Sequence, residues 1–441
     1  MNPFKTYDIR GIYPFEIYDE FAFELGRAVV KFLGAKKLII GRDGRNSSDE
    51  LYTYLIEGIV SQGCDVVDIG RCSTPQFYFE IFSGTANGGI MITASHNPKE
   101  FNGFKICGSH AKPIFSENGF EDIQKLMDEK KYSEVAKKGH AVNKNFFNSY
   151  ISYFAKLHKP IDKKLNVVFD CGNGMGITEV KALKKIYGSM IDETVLFPII
   201  DGTFPNHECD PTKVENTLAL VEEMKRNKYD LGFAFDGDAD RVVCFTSSGF
   251  RIPSDVLTAI IAKQVCVKGD KVGYEVRTSQ SVVEELKKDK FVGCMYPSGH
   301  SLIKKNMIKD GAVFAGEKSG HYFYQKLHYV ESTLFSVMQV IEFSLNNDIE
   351  KIAKEISGRR VSLEEKNYKV NDKDSVLKLI EKEFRNEKIV KVDGLSVYSD
   401  KYFFNIRKSN TENLIRLNIE GDTKKIVNDV VEKIEKILAR S

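Results

Sequence analysis

The stretch KLIIGRDGRNSSDELYTYLIEGIVSQGCDVVDIG, residues 37–70, decides the fold class of this chain. It opens with the short apolar run KLIIG (37–41), continues through a segment of helical character, and ends on a second apolar run, DVVDIG (65–70). Short β-rich runs separated by a helical pattern are typical of a largely parallel sheet covered by helices. The stretch therefore predicts an α/β layer structure.

The same alternation recurs further along the chain. LNVVFD (165–170) precedes a helical segment, DLGFAFD (230–236) follows one, and KVGYEV (271–276) precedes another. Units of one kind in series predict duplicated α/β domains, although no strict sequence repeat links them. At about 150 residues per domain, the 441 residues of the chain allow three or four domains.

The character of the chain changes after about residue 358. The charged stretch SGRRVSLEEKNYKVNDKD (357–374) predicts a linker, and it is followed by a helix, two strands and a closing helix whose apolar residues share one face. We therefore expect a separate small α+β domain here. The predicted domains are 1–145, 146–246, 247–362 and 363–441.

Composition excludes several classes of partner. Lys and Arg number 64 against 62 Asp and Glu, a net charge of +2, so the chain has no overall attraction to nucleic acid or to an anionic membrane. No apolar run is long enough to span a membrane and the N-terminus lacks a signal-peptide core, so we expect a cytoplasmic location. The eight cysteines include no CxxC pair, which indicates buried thiols.

DGDADR (236–241) places Asp236, Asp238 and Asp240 at alternate positions between two apolar strands. Three anions in one tight loop repel each other unless a cation neutralises them, and hard oxygen ligands suit Mg²⁺. A calcium loop of the EF-hand type would need Gly and Glu where the chain has Arg241 and Ser247, which excludes that motif. An exposed acidic turn is the alternative.

ITASHNPKEFNGFKI (92–106) sets Ser95 after an apolar strand, in a loop that we predict to be exposed. The chain has no GxSxG elbow, and the neighbouring Ser95 and His96 do not form a hydrolase pair, which favours a phosphoryl-carrying serine. A turn in which Ser and Asn only bond the backbone is the alternative. Lys105 would either face solvent or, near an active serine, lose its proton by desolvation and act as a base.

GEKSGH (316–321) carries Glu317, Ser319 and His321 at alternate positions. On an extended backbone these three side chains would face the same way, and an acceptor, a hydroxyl and an imidazole suit vicinal sugar hydroxyls. A polar glycine turn without a ligand is the alternative. The motif alone does not decide between them.

RKSNTEN (407–413) lies between the two strands of the tail. A guanidinium, hydroxyls, an amide and loop N–H groups are all donors, which is what a phosphate dianion requires, although an ordinary hairpin also uses Ser and Asn. The donor residues are Arg407, Ser409, Asn410 and Thr411.

Smaller clusters of charged residues are weaker evidence for a functional site. Loops near the N-terminus carry Arg10, Arg42 and Arg45, and PSGHSLIKK (297–305) carries His300; each alone is more typical of a solvated face. DCGNGMG (170–176) has glycines spaced GxGxG and not GxGxxG, which argues against a dinucleotide fold.

Taken in this order, TASHNP, DGDADR, GEKSGH and RKSNTEN resemble the α-D-phosphohexomutase superfamily across nearly the whole chain. The resemblance implies three related α/β domains with mixed sheets and a smaller C-terminal α+β domain around a central cleft. It also implies interconversion of hexose 1-phosphate and hexose 6-phosphate through a phosphoserine and a bisphosphorylated sugar. Mg²⁺ and hexose 1,6-bisphosphate are the implied cofactors, and monomer and homodimer are both left open.

The resemblance also implies a role for each matching residue. Ser95 would be the phosphoserine and, through its phosphate, a metal ligand beside Asp236, Asp238 and Asp240. Glu317 and Ser319 would hold the sugar hydroxyls. The non-reacting phosphate would be held by Arg407, Ser409, Asn410 and Thr411. The other charged positions are Arg10, Lys105, Arg241, His300 and His321, of which Lys105 and His321 are the candidates for proton transfer.

The sequence indicates the preferred sugar less directly than it indicates the family. NHECDPTKVENT (206–217) is similar to the phosphomannomutase/phosphoglucomutase branch, which favours mannose or glucose phosphates, whereas Lys318 does not separate this branch from the phosphoglucosamine mutases. Phosphoglucosamine mutase is the second expectation. A metal-dependent phosphatase is disfavoured because a sugar loop and a phosphate clamp imply exclusion of water. A non-catalytic regulator is disfavoured because Ser95, the aspartates and Lys105 occur together.

Overall fold

The computed structural model describes residues 2–132, 135–409 and 414–439. Contacts between Cα atoms divide the chain into two compact units. The first unit contains the residues up to Ile252 together with Ser319–Asn347. The second unit contains Pro253–Lys318 and the residues from Asp348 onward.

The first sheet is mixed, as expected. Its described strands follow the order β1-β5-β4-β2-β3-β7, with β6 beside β5; β2 is parallel to β3 and β4, whereas β5 is antiparallel to β1 and β4. The strands are β1 (Ile9–Ile12), β2 (Lys37–Arg42), β3 (Asp65–Arg71), β4 (Gly88–Ile92), β5 (Phe101–Gly108), β6 (Pro113–Ile114) and β7 (Ala141–Asn143). The helices are α1 (Asp19–Leu33), α2 (Ser48–Ser61), α3 (Thr74–Ser83) and α4 (Phe120–Glu129). The strand, helix and strand predicted from residues 37–70 are confirmed as β2, α2 and β3.

The second sheet carries the acidic loop. Its described strands follow the order β12-β11-β10-β8-β9, and β10 and β11 form an antiparallel hairpin in which Phe235 pairs with Val242. The strands are β8 (Leu165–Asp170), β9 (Ile191–Leu196), β10 (Leu231–Phe235), β11 (Val242–Thr246) and β12 (Arg251–Ile252), and the helices are α5 (Phe147–Ala155), α6 (Gly176–Tyr187) and α7 (Leu218–Arg226). Every residue of β10 and β11 is buried, which places DGDADR at one end of a buried hairpin.

The part of the chain between residues 253 and 357 contributes to both units. In the second unit, β13 lies between β14 and β15 and is parallel to both. In the first unit, β16 and β17 form an antiparallel pair. The strands are β13 (Lys271–Glu275), β14 (Val292–Tyr296), β15 (Phe314–Gly316), β16 (Tyr322–Tyr324) and β17 (Val330–Glu331). The helices are α8 (Ser254–Val265), α9 (Gln280–Lys288), α10 (His300–Asp310), α11 (Thr333–Ser344) and α12 (Ile349–Ser357).

The C-terminal part is an antiparallel sheet with two helices. Its described strands follow the order β18-β23-β22-β21-β20, with β19 beside β23. The strands are β18 (Val361–Ser362), β19 (Lys366–Lys369), β20 (Lys388–Val390), β21 (Leu395–Tyr398), β22 (Tyr402–Lys408) and β23 (Leu414–Gly421), and the helices are α13 (Lys373–Glu383) and α14 (Lys424–Leu438). Val427 and Ile434 of α14 pack with Phe404 and Leu417 of the sheet, which confirms the predicted apolar face.

Two expectations for this region need correction. The predicted linker at 357–374 is wrong, because that stretch contains β18 and β19; charged residues are common on such short outer strands, where they discourage pairing with another chain. The strands β20 and β21 were also missed, because each has only three or four residues. The predicted class, α/β domains with mixed sheets and a C-terminal α+β domain, is confirmed.

Short 3-10 turns complete the described structure, at Ser109–Ala111, Gly188–Met190, Glu215–Thr217 and Gln325–Leu327. Among the described helices, none combines the length and the apolar character needed to cross a membrane. Seven cysteines are buried and Cys294 is half-buried, so the predicted burial holds for all but one.

Candidate active site

Ser95 lies in the loop between β4 and β5, and its side chain points at the acidic loop. Its Oγ donates a hydrogen bond of 2.7 Å to Asp236 Oδ2 and lies 3.2 Å from His96 Nδ1. Its backbone has φ +51°, in the left-handed region that a serine rarely adopts. Ser95 is only 1% exposed, so the predicted exposed loop is wrong at this residue.

A buried arginine holds the backbone of the Ser95 loop. Arg45 is 1% exposed, and its guanidinium donates to the backbone oxygens of Ser95, Asn97, Pro98 and Phe101 at 2.6–2.9 Å. The interpretation of Arg45 as a solvated loop residue is therefore wrong. The local sequence contains no signal for this contact, because it depends on β2 and β4 being parallel neighbours, which brings the loops that follow them to the same edge of the sheet.

Replacing Arg45 with methionine should destabilise the first unit strongly. The change would leave four carbonyl oxygens without their donor and the buried Asp43 carboxylate without its cation, a loss of about 3–5 kcal/mol. Urea unfolding followed by circular dichroism measures it. The control is Arg71→Met, since Arg71 is 46% exposed and pairs with Asp49, and it should cost about 1 kcal/mol or less. Equal costs for the two variants would contradict this role.

The three aspartates of DGDADR form one buried group. One oxygen from each of Asp236, Asp238 and Asp240 lies within 4.8 Å of the others, and all three residues are buried, which rules out the exposed acidic turn. Burial, followed by the charges of Asp240 and Asp238, raises the pKa of Asp236 well above its usual range. Gly237 permits the approach to the serine, because a Cβ there would lie 2.6 Å from Ser95 O.

The donor set fits a divalent cation. Asp238 Oδ1 is buried and has no hydrogen-bond partner among the described residues. Leaving a buried carboxylate oxygen unpaired is costly, by about 1–3 kcal/mol or more, unless a ligand meets it. Three hard carboxylates with one such oxygen are a suitable site for Mg²⁺.

Lys105 of β5 is buried beside the acidic loop. Its Nζ lies 2.9 Å from Asp238 Oδ2 and also contacts Asp240. Burial lowers the pKa of Lys105, but the charges of Asp238 and then Asp240 raise it by more, and the net pKa lies above its usual value. The solvent-facing alternative for Lys105 is therefore wrong, and in this structure its ammonium is paired with two carboxylates.

Arg241 and His321 surround the same carboxylates. His321 Nε2 lies 3.1 Å from Asp240 Oδ1, and its Nδ1 lies 2.9 Å from Ser319 Oγ. The Arg241 backbone N–H donates to Asp236 Oδ1 at 3.1 Å, and its Nε lies 3.4 Å from His321 Nε2. Although burial raises the pKa of Asp240, Lys105 and then His321 hold it well below its usual range.

Arg10 contacts the Ser95 loop from β1. Its Nη1 donates to Asn97 Oδ1 at 2.6 Å, and its Nη2 pairs with Asp8 Oδ2 at 2.7 Å. Burial, followed by the charges of Arg241 and Arg10, holds the pKa of His96 well below its usual range.

The sugar-loop motif is not extended, so the condition under which its three side chains would face the same way is not met. Residues 318–320 form a turn, with φ +95° at Gly320. In the second unit, Glu317 is buried and its Oε1 accepts a bond of 2.8 Å from Gly299 N, next to His300 at the start of α10. In the first unit, Ser319 is bonded to His321.

The phosphate-loop motif is described only in part. Asn410 and Thr411 lie outside the described residues. Arg407 lies at the end of β22, with Nη2 3.3 Å from Glu365 Oε2, and Ser409 is buried. Two further guanidiniums of the second unit reach the same carboxylate, Arg416 at 3.4 Å and Arg277 at 4.0 Å. The motif search missed Glu365, because its role depends on three arginines from distant positions in the sequence.

Comparisons with known proteins agree with the motifs. Family models described as Phosphoglucomutase/phosphomannomutase match the chain: alpha/beta/alpha domains I, II and III over residues 1–134, 148–249 and 253–359, and the C-terminal domain over residues 365–437. The resemblance inferred from the four motifs is thereby confirmed.

Individual relatives align along almost the whole chain. A phosphomannomutase of Methanocaldococcus jannaschii is 35% identical over 450 residues, covering 99% of this chain and 97% of the relative. A phosphomannomutase/phosphoglucomutase of Pseudomonas syringae pv. tomato is 33% identical over 439 residues, with 95% and 91% covered. A solved structure of a phosphoglucomutase/phosphomannomutase family protein from Burkholderia thailandensis aligns with a TM-score of 0.88 at 26% identity, covering 99% of this chain and 96% of that one. This chain belongs to the phosphoglucomutase/phosphomannomutase family of phosphate-transferring mutases.

Proposed function

We propose that this chain interconverts the 1-phosphate and the 6-phosphate of a hexose, mannose or glucose, by carrying a phosphoryl group on Ser95. The observation that supports this most directly is the 2.7 Å bond from Ser95 Oγ to Asp236 in a buried group of three carboxylates and Lys105. A serine in that setting suits phosphoryl transfer, in which positioning and charge neutralisation do most of the work.

The reaction runs through two transfers. In the first, the phosphorus–oxygen bond to Ser95 breaks and a new bond forms to the free hydroxyl of the sugar phosphate, which gives a hexose 1,6-bisphosphate. The bisphosphate then turns end for end and returns its other phosphoryl group to Ser95. The same bisphosphate, added from solution, would load Ser95 and act as the activator.

Several positive charges would neutralise the negative charge of the transferring phosphoryl group. Asp236, Asp238 and Asp240, with the Ser95 phosphate, would hold Mg²⁺, which when bound would neutralise the transferring phosphoryl group. Lys105 adds a positive charge beside Asp238 and Asp240. The guanidiniums of Arg10 and Arg241 lie beside the same loops and would add positive charge near a phosphate oxygen.

His321 is our candidate for proton transfer. Its Nε2 lies 3.1 Å from Asp240 Oδ1, so the imidazolium formed on taking the sugar hydroxyl's proton would be stabilised by that carboxylate. Lys105 is the second candidate, because its ammonium is paired with Asp238 and Asp240 in this structure.

The remaining assignments concern the substrate. Glu317, Ser319 and His300 would hold the sugar, and Arg407, Ser409, Asn410 and Thr411 would hold the phosphate that is not reacting. The two phosphates present the same set of oxygen acceptors, so one loop of guanidinium, hydroxyl and amide donors can accept either of them. The domain limits near residues 145, 246 and 362 stay predictions, as do the cytoplasmic location, the absence of a nucleic-acid partner, and the choice between monomer and homodimer.

A side-by-side assay tests the proposed substrate. Mannose, glucose and glucosamine 1-phosphates are each supplied with Mg²⁺ and the matching 1,6-bisphosphate, and the 6-phosphate and free phosphate are measured. We expect the mannose and glucose compounds to be converted with kcat/KM at least tenfold above that of glucosamine 1-phosphate, about the discrimination that one buried polar contact provides. Higher activity on glucosamine 1-phosphate would indicate a phosphoglucosamine mutase. Accumulation of free phosphate in place of the 6-phosphate would indicate a phosphatase.

A further inference from the structure

Thr74 is a buried residue that the proposed chemistry has not used. It is the first residue of α3 and has no exposed surface. The residue before it, Ser73, caps the helix: its Oγ accepts a bond from Gln76 N, and Gln76 Oε1 accepts one from Ser73 N. Ser73 Oγ also contacts the buried Glu179 of α6. The start of α3, and with it Thr74, is therefore held on several sides.

Thr74 makes two hydrogen bonds to one aspartate of the acidic loop. Its backbone N–H donates to Asp238 O at 2.9 Å, and its Oγ1 donates to Asp238 Oδ2 at 2.6 Å. These two hydrogen bonds fix both the backbone and the carboxylate of Asp238. Among the three aspartates, Asp238 is thus tied directly to the first turn of α3.

The two oxygens of the Asp238 carboxylate have different surroundings. Oδ2 receives Thr74 Oγ1 and also lies 2.9 Å from Lys105 Nζ, whereas Oδ1 has no hydrogen-bond partner among the described residues. The terminal torsion of an aspartate is broad and nearly twofold, so it does not by itself decide which oxygen faces which way. The donors on Oδ2 make that choice and leave Oδ1 with free lone pairs.

We propose that Thr74 is a positioning residue for the metal: its hydroxyl holds Asp238 so that Oδ1 is the oxygen presented to the divalent cation. The inference rests on the proposed cation site at Asp236, Asp238 and Asp240. Without the hydroxyl, Lys105 alone would orient the carboxylate, and Lys105 is shared with Asp240. Partners that orient a metal ligand in this way are expected to contribute about 10- to 100-fold to metal affinity.

Binding of Mn²⁺ to the full chain, without substrate, tests the proposal. Free Mn²⁺ is counted by electron paramagnetic resonance as the metal is titrated. Thr74→Val removes the donor at nearly constant volume and should raise the Kd about 10- to 100-fold, whereas Thr74→Ser keeps a hydroxyl and should stay within about threefold of the unaltered chain. The matched control is Thr217→Val: Thr217 is also buried in the first unit, but its hydroxyl donates to the backbone oxygen of Val214, so the Kd should not change.

The outcomes separate this inference from the site on which it rests. An unchanged Kd in folded Thr74→Val overturns the role of the hydroxyl, and so does a Thr74→Ser variant that binds Mn²⁺ as weakly as Thr74→Val. In either case, Mn²⁺ binding to the unaltered chain would still support the metal site. No Mn²⁺ binding to the unaltered chain overturns both. Circular dichroism reports folding, and if the valine variant does not fold, Thr74→Ala is titrated in its place with the same expected increase.

Discussion

Replacing Ser95 with alanine should abolish the interconversion of hexose 1- and 6-phosphates while the substrate still binds. Ser95 Oγ is the atom that would carry the phosphoryl group, and no other hydroxyl is donated to Asp236 among the described residues. Loss of a covalent carrier lowers turnover by about 10⁴-fold or more. Binding should persist, since the residues proposed to hold the sugar and the second phosphate, such as Glu317 and Arg407, are unchanged.

Three measurements check this expectation. Coupled assays give turnover, calorimetry with glucose 1-phosphate gives binding, and intact mass shows whether the unaltered chain gains one phosphoryl group that the variant cannot. Ser344→Ala is the control, because Ser344 Oγ only donates to the backbone oxygen of Ile341 in α11. Full turnover of the Ser95 variant would remove the phosphoserine from the mechanism.

The second large effect is expected from Asp238→Asn. Thr74 Oγ1 and Lys105 Nζ both donate to Oδ2, so the amide oxygen of asparagine would take that position. The amide NH₂ would then take the place of Oδ1 and turn a donor toward the cation. This change removes one negative charge and reverses the polarity of one ligand position, so the Mg²⁺ concentration for half-maximal activity should rise about 100-fold or more.

A magnesium titration of activity, with Mn²⁺ binding measured in parallel, checks this result. Asp210→Asn is the matched control, because Asp210 is also buried in the first unit but accepts its bonds from Thr212, outside the acidic loop. The control should keep the titration of the unaltered chain. If Asp238→Asn also keeps it, the acidic loop is not the metal site.

Several expectations drawn from single motifs changed once partners distant in sequence were known. Ser95 was expected in an exposed loop and is buried, and Arg45, 50 residues earlier, binds the carbonyl oxygens of that loop. Lys105 was expected either to face solvent or to act as a base, and it is buried with its ammonium paired to Asp238 and Asp240. Neither change was visible in the local sequence, since burial and charge pairing depend on which loops share an edge of a sheet.

Thr74 is a residue whose proposed role could not be predicted from the sequence. The segment STPQ (73–76) contains an ordinary helix start, and its capping box is readable from the sequence. Its bond to Asp238 is not readable, because 164 residues separate the two in the chain. A residue that orients a metal ligand therefore has the same sequence signature as a residue that only begins a helix.

By itself, the sequence determined the alternation of strands and helices and the family through four motifs in order, and it predicted a metal-binding role for DGDADR. These properties are local: strand and helix periods of about 2 and 3.6 residues, and ligand types at short spacing, are written in neighbouring positions. Only the tertiary structure decided that Ser95 faces Asp236, that Lys105 is paired with two carboxylates, and that Asp238 offers Oδ1. Those properties depend on contacts between groups more than 100 residues apart, and the contacts exist only after the sheets and helices have packed.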